Sequence, residues 1–226
     1  MGDDRHPHQG RPVLRAGAPL EKARAAMILV HGRGASAQSI LTLAPELARP
    51  TFAYLAPDAA DGTWYPFSFL APMEQNEPGI SSGIQAIADV LATIESAGIP
   101  AERTMLVGFS QGACLALEFV ARNARRYAGV AGLSGGLIGP DDTPRDYPGA
   151  LAKTPVFLGC SDIDPHIPKE RVVLTSEVMK RLGGAVTLRL YPGMGHTVNV
   201  DEIMHVQAMM DAVGGESTSR ASPRAR

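Results

Sequence analysis

Cysteine is nearly missing from this chain: Cys114 and Cys160 are the two thiols in 226 residues. One falls in an expected helix and one at a strand end, with no framework spacing, so both read as free thiols in a reducing compartment. Charge of one sign is missing too. The formal net charge is −2 and no basic stretch is long, which excludes a nucleic-acid-binding surface as the expectation. No apolar run approaches the ~20 residues of a membrane span, so no stable membrane insertion is expected. Met1 to Pro12 is polar, with Asp, His and Pro, and does not read as a secretion signal. These absences together predict a cytoplasmic soluble protein.

Aromatic residues are also few: one Trp, five Tyr and six Phe. Four of the twelve, Trp64, Tyr65, Phe67 and Phe69, fall within six positions of one another. They lie in Asp58 to Pro78, a connection with no periodicity of its own. Loops beyond ~12–15 residues are usually functional or disordered, and this one is too aromatic for disorder. It is expected to wall a substrate pocket, with a hydrophobic cover over the sheet as the plainer alternative.

What the chain has in plenty is apolar surface for one core, at 45% hydrophobic residues. One domain is expected over residues 24–213, with 1–23 a partly flexible extension and 214–226 a small, polar, disordered tail. Short apolar runs alternate with longer helical ones, which predicts a single α/β domain: a mostly parallel central sheet with helices on both faces. Strands are expected at 26–30, 52–55, 103–107, 129–133, 155–158 and 185–191, with a weak one at 12–15. Helices are expected from Ser36 to about Ala48, and over 81–97, 113–122, 168–182 and 199–213.

The pattern G-x-S-x-G occurs three times. Gly79-Ile80-Ser81-Ser82-Gly83 follows a Pro-bounded stretch that cannot be a central strand, so Ser81 or Ser82 reads as a helix cap. Gly132-Leu133-Ser134-Gly135-Gly136 follows a strand, but Gly139, Pro140 and Pro144 leave no helix after it. Gly108-Phe109-Ser110-Gln111-Gly112 alone has a strand before and a helix after, the context of a nucleophile elbow. Ser110 is therefore the candidate nucleophile.

A serine nucleophile needs a base, an acid to orient it, and oxyanion donors. His196 follows a strand in the loop Pro192-Gly193-Met194-Gly195-His196, the last place in the chain order Ser, acid, His. His6 and His8 lie in the terminal extension, His205 is mid-helix, and His166 is close to the candidate acids. In Gly159-Cys160-Ser161-Asp162-Ile163-Asp164-Pro165-His166-Ile167-Pro168 both Asp162 and Asp164 could hold the imidazole, with Asp141 or Asp142 more remote. His31-Gly32-Arg33-Gly34 follows a strand, and its glycines allow the backbone to present N–H groups. The N–H groups of Arg33 and Gln111 are the expected oxyanion donors. Gly32 and Gly34 match no phosphate-binding fingerprint.

With these motifs in view, residues 25–213 resemble the phospholipase/carboxylesterase group of α/β-hydrolases, which includes the acyl-protein thioesterases. The resemblance implies hydrolysis of carboxylic esters or thioesters through an acyl-enzyme, with neither metal nor cofactor. The family's acid segment usually reads Gly-x-x-Asp-x-x-Val-Pro. Here Gly159 and Pro168 are two residues further apart: counting from Gly159 selects Asp162, and counting back from Pro168 selects Asp164, the favoured choice. Dienelactone hydrolases share the wider fold but carry Cys at the elbow, against which Ser110 argues. A catalytically inactive α/β module binding an apolar ligand is the remaining alternative. The expected partners are a small, neutral, short-to-medium acyl ester or thioester and, at most, a second copy in a homodimer.

Overall fold

The computed structural model describes residues 6–214. Seven strands form one sheet: β1 (Val13–Gly17), β2 (Ala25–Val30), β3 (Phe52–Pro57), β4 (Thr104–Phe109), β5 (Gly129–Leu133), β6 (Pro155–Ser161) and β7 (Ala185–Tyr191). Their spatial order is β1-β3-β2-β4-β5-β6-β7. Only β1 runs antiparallel, pairing Arg15 with Leu55; the other pairs are parallel, for instance Ile28 with Leu106 and Phe157 with Thr187. The sequence explains which strands lie inside. Ala25–Val30 and Phe52–Pro57 are unbroken apolar runs buried throughout, as strands covered on both faces must be. The edge strands β1 and β7 instead alternate in exposure.

Helices α1 (Ala37–Ile40), α2 (Gly79–Ser96), α3 (Gln111–Arg122), α4 (Lys169–Arg181) and α5 (Val200–Gly214) cover the sheet. One core cluster joins α2, α3 and α4 to one face through Ile80, Ile87, Leu115, Val120, Val172 and Met179. The opposite face packs on α1 and α5 through Ala37, Ile40, Val206 and Met210. Every parallel strand therefore ends on the same edge, and the loops that follow β2, β4, β6 and β7 are brought together there.

Two expectations change. The helix from Ser36 to Ala48 is one turn of α-helix continued as a 3₁₀ turn at Leu41–Leu43. Ser36 caps it through a reciprocal pair with Ser39, but Pro45 cannot extend a helix. Neither Ser81 nor Ser82 is an N-cap: α2 begins two residues earlier, at Gly79, and the Glu77 carboxylate accepts from the Ser81 N–H. The extension 1–23 carries β1, and its residue 8 packs into the fold: the His8 ring is buried against Trp64. The tail from residue 215 lies outside the described residues. Among the described residues, no helix is long and apolar enough to cross a membrane.

Candidate active site

β4 ends at Phe109, and Ser110 turns the chain into α3 with φ 55° and ψ −121°, a strained conformation for a non-glycine residue. The turn is fixed on both sides: Ser110 N–H donates to the Leu133 carbonyl (2.9 Å), and Ser110 C=O accepts from Cys114 N–H (3.0 Å). Gly108 and Gly112 are required for closeness. A Cβ at Gly112 would run into the carbonyl oxygens of Val30 and His31, and one at Gly108 into the Gly112 carbonyl. The other two G-x-S-x-G glycine pairs serve packing. Gly79 lies against the Trp64 carbonyl and Gly83 against Leu115, while Ser134 is buried at the end of β5.

Ser110 Oγ lies 2.8 Å from His196 Nε2, and His196 Nδ1 lies 2.7 Å from Asp164 Oδ2. The second Asp164 oxygen accepts the backbone N–H groups of His166 (2.8 Å) and Ile167 (3.1 Å). Burial alone would push the Asp164 carboxyl up. The His196 hydrogen bond and the His166 N–H outweigh it and hold it below its ordinary value. Asp164 is thus an ionised acceptor for an Nδ1–H, which leaves Nε2 free to accept the Ser110 proton. Asp162 does something else: its Oδ1 accepts the Gly193 N–H at 2.8 Å, tying the acid loop to the loop that carries His196. The His196 ring is bracketed by Phe109 (centroids 5.0 Å apart) and the edge-on ring of His166 (4.9 Å).

The loop after β2 lies directly against Ser110, since a Cβ on Gly32 would sit 3.3 Å from Ser110 Cβ. His31, which opens it, is a buried neutral imidazole: Nδ1 pairs with the Gly32 carbonyl (2.8 Å) and Nε2 accepts the Ala59 N–H (3.1 Å). Burial depresses its pKa, which keeps that acceptor available. Gln111 supplies the first N–H of α3, where the helix dipole is positive.

Sequence reasoning missed the side chains of these two residues. The Arg33 guanidinium donates to three successive carbonyls: Tyr65 (2.8 Å), Pro66 (2.8 Å) and Phe67 (2.6 Å). The Gln111 carboxamide accepts from Trp64 N–H (2.9 Å) and donates to the Tyr65 carbonyl (2.8 Å). The motifs assign a role only to the N–H groups of Arg33 and Gln111, since a one-dimensional motif carries no signal for where their side chains reach.

A cleft of about 430 Å³ opens over Ser110 and His196; Tyr65, Phe67, Phe69 and Ile167 form its apolar lining. Three of the four expected aromatics are therefore there. Trp64 is not. It is fully buried behind the wall, its indole N–H donating to the His31 carbonyl (2.9 Å) and its ring packed between His8 and His31. Among the described residues, no group of three or more His, Cys, Asp or Glu is placed to hold a metal ion.

Comparison with known proteins agrees with this fold. The phospholipase/carboxylesterase family matches residues 14–213. An acyl-protein thioesterase 1 of Debaryomyces hansenii is 28% identical over 89% of this chain and 97% of its own. A crystal structure of a phospholipase/carboxylesterase from Dyadobacter fermentans superposes with a TM-score of 0.86 at 40% identity, covering 89% of this chain and 96% of that one. An acyl-protein thioesterase 2 from Zea mays shares the fold, with a TM-score of 0.69 at 19% identity, over 91% of this chain and all of that one.

Proposed function

The chain belongs to the phospholipase/carboxylesterase family of α/β-hydrolases, serine hydrolases of esters and thioesters, and we propose that Ser110, His196 and Asp164 are its catalytic triad. Ser110 Oγ attacks the acyl carbonyl carbon while its proton passes to His196 Nε2. Asp164 holds the imidazole by Nδ1 and stabilises the imidazolium that forms. The carbonyl oxygen, now negative, is held by the N–H groups of Arg33 and Gln111. Collapse expels the alcohol or thiol, which takes the proton from His196, and leaves the acyl group on Ser110. Water, deprotonated by the same imidazole, then releases the acid and restores the serine. The observation that carries this reading is the unbroken pair of contacts, 2.8 Å from Ser110 Oγ to His196 Nε2 and 2.7 Å from His196 Nδ1 to Asp164 Oδ2.

The substrates are neutral acyl esters and thioesters of short-to-medium chain. Tyr65, Phe67 and Phe69 offer the acyl chain an apolar wall, and Arg33, which also lines the cleft, directs its guanidinium to the carbonyls of residues 65–67. The two buried, unpaired thiols support a reducing, cytoplasmic setting. A fluorophosphonate probe tests the nucleophile, since it labels an activated serine and not merely a pocket. Wild type should label, and Ser110→Ala should lose both labelling and several orders of magnitude in kcat. Labelling that persists in Ser110→Ala and disappears in Ser134→Ala would move the nucleophile to Ser134.

A further inference from the structure

The segment before β1 lies outside the stretch that matches the family, residues 14–213, yet it is bound into the wall of the cleft. His8 is 4% exposed. Its Nε2 lies 2.8 Å from the Trp64 carbonyl, its Nδ1 accepts the Ala60 N–H (3.1 Å), and its own backbone N–H donates to Ser82 Oγ (2.9 Å). Gln9 adds two bonds to the same serine: its carboxamide donates to the Ser82 carbonyl (3.0 Å) and accepts from Ser82 Oγ (2.7 Å). The His8 ring packs edge-on to the Trp64 indole, with centroids 5.1 Å apart. The segment thus bridges helix α2 and the aromatic loop.

Trp64 is where this bridge meets the cleft. On the cleft side, Gln111 accepts the Trp64 N–H, and Arg33 and Gln111 together hold the carbonyls of residues 65–67. On the far side the Trp64 carbonyl is held by His8. The backbone that presents Tyr65 and Phe67 to the substrate is therefore gripped from both faces. Without the His8 ring, a buried carbonyl at Trp64 and an N–H at Ala60 lose their partners, and the indole loses one of the two rings that enclose it.

From this we infer that His8 is a positioning residue for acyl-chain selectivity: it fixes Trp64 behind the cleft and through it the apolar wall formed by Tyr65, Phe67 and Phe69. The inference rests on the reading of the site as an esterase centre. His8 lies behind the wall, so the reacting atoms themselves are left in place when it is changed.

The test compares His8→Ala and His8→Gln with wild type on p-nitrophenyl acetate, butyrate and hexanoate. In His8→Ala, kcat/KM for acetate should stay within about twofold. For the longer esters it should fall by about fourfold for each methylene the wall no longer covers. His8→Gln, which keeps a donor for the Trp64 carbonyl, should recover part of that loss. Trp64 is the only tryptophan, so its emission reports the bridge directly. It should move to the red and become more open to acrylamide in His8→Ala. Ser82→Ala, which removes the hydroxyl that anchors the segment, repeats the measurement if His8→Ala fails to fold. An equal loss at all three chain lengths, or an unchanged profile despite altered Trp64 emission, would overturn the inference. Fluorophosphonate labelling of each variant keeps the two readings apart, because it depends on the triad and not on the wall.

Discussion

Two aspartates two positions apart do different jobs because of what their oxygens face. Asp164 directs one oxygen at His196 and saturates the other with the His166 and Ile167 N–H groups, so it is rigid, ionised and aimed. Asp162 binds only the backbone of the opposite loop, at Gly193. Asp164→Asn should lower kcat by roughly 10⁴-fold, since an amide cannot hold the required imidazole tautomer. Asp162→Ala removes one hydrogen bond, worth about 1 kcal/mol, and should lower kcat by about tenfold or less. Steady-state kinetics on one short ester separates the two, and the opposite ranking would hand the role of acid to Asp162.

The elbow is the element that sequence reveals best, because its requirements are local: a strand, a serine, a helix, and glycine two residues to either side. His196 was legible for a similar reason, being tied to the end of β7 by its place in the chain. The choice between the aspartates came from counting back from Pro168, where the next helix starts. What the sequence did not show depends on distance. His8 and Trp64 are 56 residues apart and the Arg33 guanidinium reaches 32 to 34 residues along the chain, and no spacing rule links such pairs. The aromatic cluster was legible as a cluster; which ring faces the cleft was set by contacts with His8 and His31. The same local logic makes a sharp expectation for the elbow. Gly112→Ala puts a methyl group into the carbonyls of Val30 and His31, backbone that cannot yield without parting α3 from the central strands. It should cost on the order of 3 kcal/mol or more, at the upper end of overpacking penalties. Thermal or urea unfolding measures this, and a variant of near wild-type stability would mean that α3 is not wedged against β2.

Across the whole molecule, three buried titratable groups outside the proposed triad, His8, His31 and Glu202, contribute to how stability follows pH, and they pull in opposite directions. Burial depresses the pKa of His8 and of His31, and both accept a backbone N–H that a protonated ring could not accept. Between those depressed values and about 6.5, the unfolded chain binds protons that the native chain refuses. Each histidine therefore adds stability as pH rises through that window, complete above it. Glu202 does the reverse. It closes a capping box at the start of α5, its N–H donating to Asn199 Oδ1 (2.9 Å) and its Oε2 accepting the Asn199 N–H (2.9 Å), while Oε1 is buried against Gly159 with no partner. Burial pushes its carboxyl up to about 7. The native chain then holds a proton that the unfolded chain releases near pH 4.3, so this contribution fades as pH rises to about 7. Below about 6.5 the two histidines and the carboxyl therefore oppose one another, and from there to about 7 the Glu202 loss continues. The variants isolate each part. Glu202→Gln resembles the protonated side chain, so its Tm should match wild type below about pH 4 and exceed it by a margin that grows up to about pH 7 and is level above it. His8→Gln removes one of the two opposing histidines and should make the change of Tm with rising pH less positive below about 6.5. Thermal scans of the three proteins across these pH values decide the matter. A Glu202→Gln difference that does not change with pH would mean that this carboxyl is ionised in the folded chain throughout, and that its free oxygen on Gly159 is paired with water.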